Sequence, residues 1–213
     1  MKTPMFPHEK LLSHCDSVYS ILSSYYAFQS IPNIKNFLLA PCEVSSSPGQ
    51  VFIEELEEEV FIGIQFAKEI VGHMTSSKEV TPHDVSVLAE ELSHFKFLAD
   101  VVENEAKTSL LILETMGEID RFLCVMHWNH MAMENAKFTN HWKNIHEICD
   151  YVFTGDRFHH KDKKLYIDAE NLAFKHLKAA FADKWDCTHY NFSEINQSAQ
   201  NYLQPLRRKF LSL

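Results

Sequence analysis

The chain has 213 residues, 46% hydrophobic and 23% charged, an ordinary globular composition with enough length for a sizeable core. Its formal net charge of −9 argues against a surface that tracks nucleic-acid phosphates. Five glycines and seven prolines are too few for an all-β sandwich, and no apolar run approaches the length of a bilayer span.

The opening "MKTPMFPHEK" has prolines and charge where a signal peptide has its apolar region, so the chain reads as cytoplasmic. Cys15, Cys42, Cys124, Cys149 and Cys187 are scattered with no CxxC, which fits neither a disulfide framework nor a zinc knuckle. Thirteen histidines make imidazole the nitrogen ligand to look for.

Apolar residues recur at helical spacing throughout, and no period-two strand pattern stands out. The first predicted helix covers residues 8–30, with Leu11, Cys15, Val18, Leu22 and Tyr25 on one face and Pro32 as its stop. The loop "APCEVSSSPGQ" follows, and a second helix is predicted over residues 50–71, ending at Gly72. Its main stripe is Ile53, Leu56, Val60, Ala67 and Val71, and a neighbouring line carries Phe52, Glu59, Gly63, Phe66 and Ile70.

Thr81 as N-cap, Pro82 in the first turn and Asp84 near the positive end of the dipole start a helix that reaches Glu105. The next helix begins between Thr108 and Gly117 and continues through "EIDRFLCVMHWNHMAMENAKF". "TNHWKNIHEICDYVF" is either its tail or a separate helix from Thr139 or Asn140. Beyond a charged loop, a helix is predicted over residues 163–182, and a last one starts near Ser193 and is bent or interrupted by Pro205. The expectation is an all-α protein of one domain, residues 1–213, built on an antiparallel four-helix bundle. The bundle spans about residues 50–183, with flanking helices at about 8–31 and 193–212.

Several polar residues interrupt the inward stripes. On the third predicted helix, Glu91 and His94 share a line with Val87, Leu98 and Val101, while Ser93, Lys96, Asp100 and Asn104 fall on the side expected to face solvent. Glu59, with Glu55 further along, lies on the preceding helix about one turn from the level of Glu91 if the two are antiparallel. The line Ile112, Met116, Ile119, Leu123, Met126 runs on into His127, His130 and Glu134, with Asp120 at its edge as a residue that could orient an imidazole. His176 interrupts Leu165, Ala169, Leu172 and Ala180, with Glu170 beside that line. A buried carboxylate needs a partner, either another side chain or a metal ion.

A Glu on one helix followed by Glu91-Leu92-Ser93-His94 on the next resembles the ferritin-like di-iron carboxylate superfamily, and His130-Met131-Ala132-Met133-Glu134 resembles the His-x-x-x-Glu element of hemerythrin-like bundles. The second half departs from the ferritin-like pattern, because Glu170-Asn171-Leu172-Ala173 has alanine where histidine is expected. The resemblance implies a metal centre of iron, mononuclear or dinuclear, or manganese, held by Glu59, Glu91, His94 and Glu134 with His127, His130 or His176. The implied activity is oxidation or hydroxylation of a small organic substrate by activated dioxygen or peroxide.

The competing reading is a metal-free helical binding module in which Glu91 and His94 are a paired core contact. Tyr190, Phe192, Tyr202 and Phe210 would then dock a partner or a second copy. A cysteine enzyme built on Cys124 or Cys149 has no histidine and acid placed beside either thiol. Neither a nucleic-acid nor a membrane partner is expected, and a homodimer is left open.

Overall fold

Helix α1 (Glu9–Tyr26) buries Leu11, Cys15, Val18, Leu22 and Tyr25, the stripe that its spacing predicts. It stops short of residue 30 because Ala27 turns into the left-handed region, with φ of 50°. The structure is a computed structural model that describes residues 9–42, 47–57, 59–76, 80–134, 142–154, 163–184 and 192–212. A 3-10 turn at Ile34–Asn36, capped by Asn33, carries the chain to residues 37–42.

The helix predicted over residues 50–71 is not formed. Gly49–Leu56 (β1) and Glu59–Phe66 (β2) make an antiparallel hairpin, registered from Gly49 opposite Phe66 to Leu56 opposite Glu59. Its strands hold Val51, Phe52, Ile53, Val60, Phe61, Ile62, Ile64 and Phe66, the β-branched and aromatic residues that favour a pleated surface. Bridges from Leu38 to Ile64 and from Cys42 to Ala67 cover the outer edge of β2 at the base. Helix α2 (Lys68–Thr75) follows directly and runs through Gly72 instead of ending before it.

Helix α3 (Pro82–Glu103) starts as its sequence predicts. The Thr81 hydroxyl accepts from the Asp84 N–H, and the Asp84 carboxylate accepts from the Thr81 N–H, a closed capping box. Helix α4 spans Leu110–Glu134. Helix α5 (Ile145–Val152) is separate from it and is capped by Asn144. Helix α6 spans Lys163–Phe181, and helix α7 spans Phe192–Phe210 with Pro205 inside it.

The five long helices close a ring in which α1 meets α3, α3 meets α4, α4 meets α6, α6 meets α7 and α7 returns to α1. Helix α4 also touches α1, α5 and α7. The mostly helical character agrees with the sequence, with a two-stranded sheet added. Helices α1 and α7, predicted as flanks, are members of the core, and the hairpin lies against α3 where the first bundle helix was expected. A single apolar cluster draws on β2 and all seven described helices. No helix among the described residues is long and apolar enough to cross a membrane.

A candidate functional site between α3 and α4

Helices α3 and α4 run antiparallel. Ser86 meets Arg121, Ser93 meets Asp120 and His94 meets Glu114 across the seam. The middle of α3 is buried on every side. Ser93, Lys96 and Asp100, expected to face solvent, lie inside; of that side, only Asn104 is exposed. The physical reason is the ring, because α1 and α7 cover the face that a free-standing bundle would leave wet.

On the hairpin side of the seam, Glu91 is 7% exposed and makes no hydrogen bond among the described residues. Burial, then the charges of Glu90 and Glu114, hold its carboxyl well above the ordinary carboxylate range. His94 Nε2 lies 3.6 Å from Glu114 Oε2. Glycine backs both members of the Glu91/His94 pair. A Cβ on Gly49 would stand 2.5 Å from Glu91 Cγ, and one on Gly117 would stand 2.5 Å from His94 Nε2. One turn further along, the Arg121 guanidinium donates to Glu118 at 2.7 Å and to Ser86 at 2.8 Å, and lies 3.4 Å from Glu90.

A second buried network faces α1 and α7. Asp120 accepts from the hydroxyls of Tyr26 at 2.5 Å and Ser93 at 2.6 Å. Asp100 pairs with Lys96 within α3 and with Arg207 of α7 at 2.8 Å. Asp100 is matched by two cations and Asp120 by two hydroxyls, which makes this network a structural clasp.

Of the predicted ligands, the structure brings Glu91 and His94 into one seam and adds Glu114. Glu59 sits on an exposed strand at the hairpin turn. His127 and His130 lie ten and thirteen residues beyond Gly117, about 15–20 Å along α4 at 1.5 Å per residue. His127 meets Tyr25 Oη at 3.0 Å and His130 stacks on Phe192, 4.0 Å between ring centroids. His176 meets Tyr202 Oη at 3.0 Å. The side chain of Glu134 lies outside the described residues, as does Tyr190. Asp120 meets the Tyr26 and Ser93 hydroxyls and no imidazole among the described residues, and Glu170 is buried near Arg121.

Glu114 and Glu118 were missed because they lie off the single apolar line read for α4, a helix that is buried all round over Glu114–Met126. Their i, i+4 spacing opposite Glu91 and His94 was the available signal. Phe192, Tyr202 and Phe210, the docking aromatics of the binding-module reading, make ring contacts with His130 and His176 within the chain. Burial pushes the Cys149 thiol up to about 12 and Cys124 well above its usual value, so both stay protonated near neutrality. Among the described residues, no three His, Cys, Asp or Glu are already gathered as a metal cage. No protein-family model, curated protein or solved structure matches the chain.

Proposed function

We propose that the protein binds one divalent first-row ion, iron(II) or manganese(II), between α3 and α4, with Glu91, His94 and Glu114 as its protein ligands. Its activity is oxidative chemistry on a small organic molecule. The observation that carries this reading is Glu91, a buried carboxyl without a hydrogen bond among the described residues, placed near a second carboxyl and one turn from an imidazole. Such a group costs several kcal/mol or more as an unpaired anion, and a cation between the two carboxyls removes that cost.

Two carboxylates and one imidazole suit iron or manganese, and three protein ligands leave positions open. The 3.6 Å between His94 Nε2 and Glu114 Oε2 is wider than a hydrogen bond and compatible with two donors about 2.1 Å from one ion. Because no cage is preformed, the Glu91 and Glu114 side chains would rotate inward on loading. The ion would supply Lewis acidity and electron exchange with dioxygen. The chain's own part is to neutralise the ion with two carboxylates, offer it a neutral nitrogen, and keep bulk water out. Arg121 keeps Glu118 and Glu90 occupied in a neighbouring ion-pair group.

The test is elemental analysis of protein expressed with iron and manganese supplements, beside Glu91→Ala/His94→Ala and Glu114→Gln variants. The expected result is about one equivalent of metal in the wild type, lost in variants that keep their helical circular dichroism, and unchanged by Glu59→Gln or His176→Gln. A wild type that neither carries metal nor takes up added Fe(II) or Mn(II) would overturn the proposal and leave Glu91 as a protonated core residue of a binding module.

A further inference from the structure

The hairpin carries more exposed apolar surface than any other element among the described residues. Phe52, Ile53, Leu56, Val60 and Phe61 are each at least 40% exposed. Pairing in the ladder divides them between both faces. Phe52, Leu56 and Phe61 share one face with Leu39, which lies over Gly63, while Ile53 and Val60 share the other with Ile62. The base of the hairpin packs on α3, but the part near its turn is a two-stranded ribbon with apolar residues exposed on both faces, which is marginal in water. Residues 37–42 cover the base of the β2 edge, whereas β1 has β2 on one side and no strand on its other side among the described residues.

We infer that the open edge of β1 pairs with β1 of a second copy, giving a two-fold homodimer with a continuous four-stranded antiparallel sheet. A two-fold axis between two antiparallel strands runs perpendicular to the sheet, so it must place a residue opposite its own symmetry mate. Two central registers overlap the strands well. Centred on Ile53, Phe52 would face Glu54 and Val51 would face Glu55 of the second copy. Centred on Phe52, the aromatic rings meet at the axis, Val51 faces Ile53, Gln50 faces Glu54 and Gly49 faces Glu55 of the second copy. The Phe52 register sets apolar side chains opposite apolar ones at the axis, gives Glu54 an amide partner and sets no carboxylate opposite another.

Charge also favours a second copy in this arrangement. Glu57 and Glu59 of the turns lie five or more residues from the axis on opposite sides, so they end about 30 Å or more from those of the second copy. That separation is several screening lengths at physiological salt. A parallel arrangement would bring the turns together.

The measurement is the mass of the full chain in solution by light scattering during size exclusion, at micromolar and higher concentration, with single substitutions. A dimer is expected for the wild type. Phe52→Lys, which sets two cations at the axis, is expected to give a monomer with unchanged helical circular dichroism. Under mild oxidation, Phe52→Cys is expected to yield a disulfide-linked dimer, while wild type and Gln50→Cys do not, since residues 50 of the two copies would be about 13 Å apart along the strands. A monomeric wild type, a dimer indifferent to Phe52→Lys, or cross-linking of Gln50→Cys as readily as Phe52→Cys overturns the inference. A monomer that captures an added basic, β-prone peptide at β1 would assign the edge to a foreign strand instead.

Discussion

Asp120 has no exposed surface, and its two oxygens accept from Tyr26 and Ser93. Burial outweighs the Arg207 charge and both hydrogen bonds, and raises its carboxyl to about 6. A carboxyl whose folded pKa exceeds its unfolded value contributes stability that is fully present below about pH 4 and lost as the pH rises through about 6. Asp120→Asn removes that contribution. Relative to wild type, the variant should therefore gain on the order of 2–3 kcal/mol between pH 4 and pH 6.5. Urea unfolding of both proteins across that window measures it, and parallel curves would contradict the assignment. Glu57 shows a different residue-scale constraint. It holds φ of 56° at the hairpin turn, where glycine or asparagine is the usual choice. The glutamates at 57 and 58 give the sequence no turn signal, and that is one physical reason the hairpin was not legible.

At the scale of an element, intrinsic preference and packing part company at two helical glycines. Gly72, inside α2, has nothing within 4 Å of where a Cβ would stand, whereas a Cβ at Gly117, inside α4, meets His94 Nε2. Gly72→Ala should therefore stabilise the protein by about 0.5–1 kcal/mol through helix propensity. Gly117→Ala should destabilise it by about 1–3 kcal/mol and lower metal uptake, because His94 must move. Thermal melts of the pair decide the matter, and two changes of the same sign would mean that the close approach at Gly117 is unimportant. Helix α1 was readable because one apolar face meets one set of neighbours, and the start of α3 because its capping box is local chemistry. The hairpin was misread because Ile53, Leu56 and Val60 fit a helical spacing as well as a strand with both faces apolar.

At the scale of the whole molecule, Arg207 ties the two ends of the chain to the middle. From α7 it pairs with Asp100 of α3, and its guanidinium carbon lies 5.0–5.2 Å from the ring centroids of Tyr26, Phe28 and Phe97. Removing one partner of a buried pair leaves the other charge uncompensated. Arg207→Ala should cost about 3–5 kcal/mol in denaturant unfolding, while Arg208→Ala, one residue along on the exposed face, should cost less than about 0.5 kcal/mol. Equal effects would show that the clasp contributes little. This link explains why helices at the chain ends belong to the core instead of flanking it.

The sequence by itself determined the helical character, the starts of α1 and α3, the apolar stripes of α1 and α4, and the pairing of Glu91 with His94 on an inward line. These depend on local caps and on side chains three or four residues apart. Only the tertiary structure decided that residues 49–66 form a hairpin, that Ser93, Lys96 and Asp100 are buried, and that Glu114 joins Glu91 and His94. Each of these depends on what a segment packs against, and contacts between distant parts of the chain leave no periodic mark in either partner.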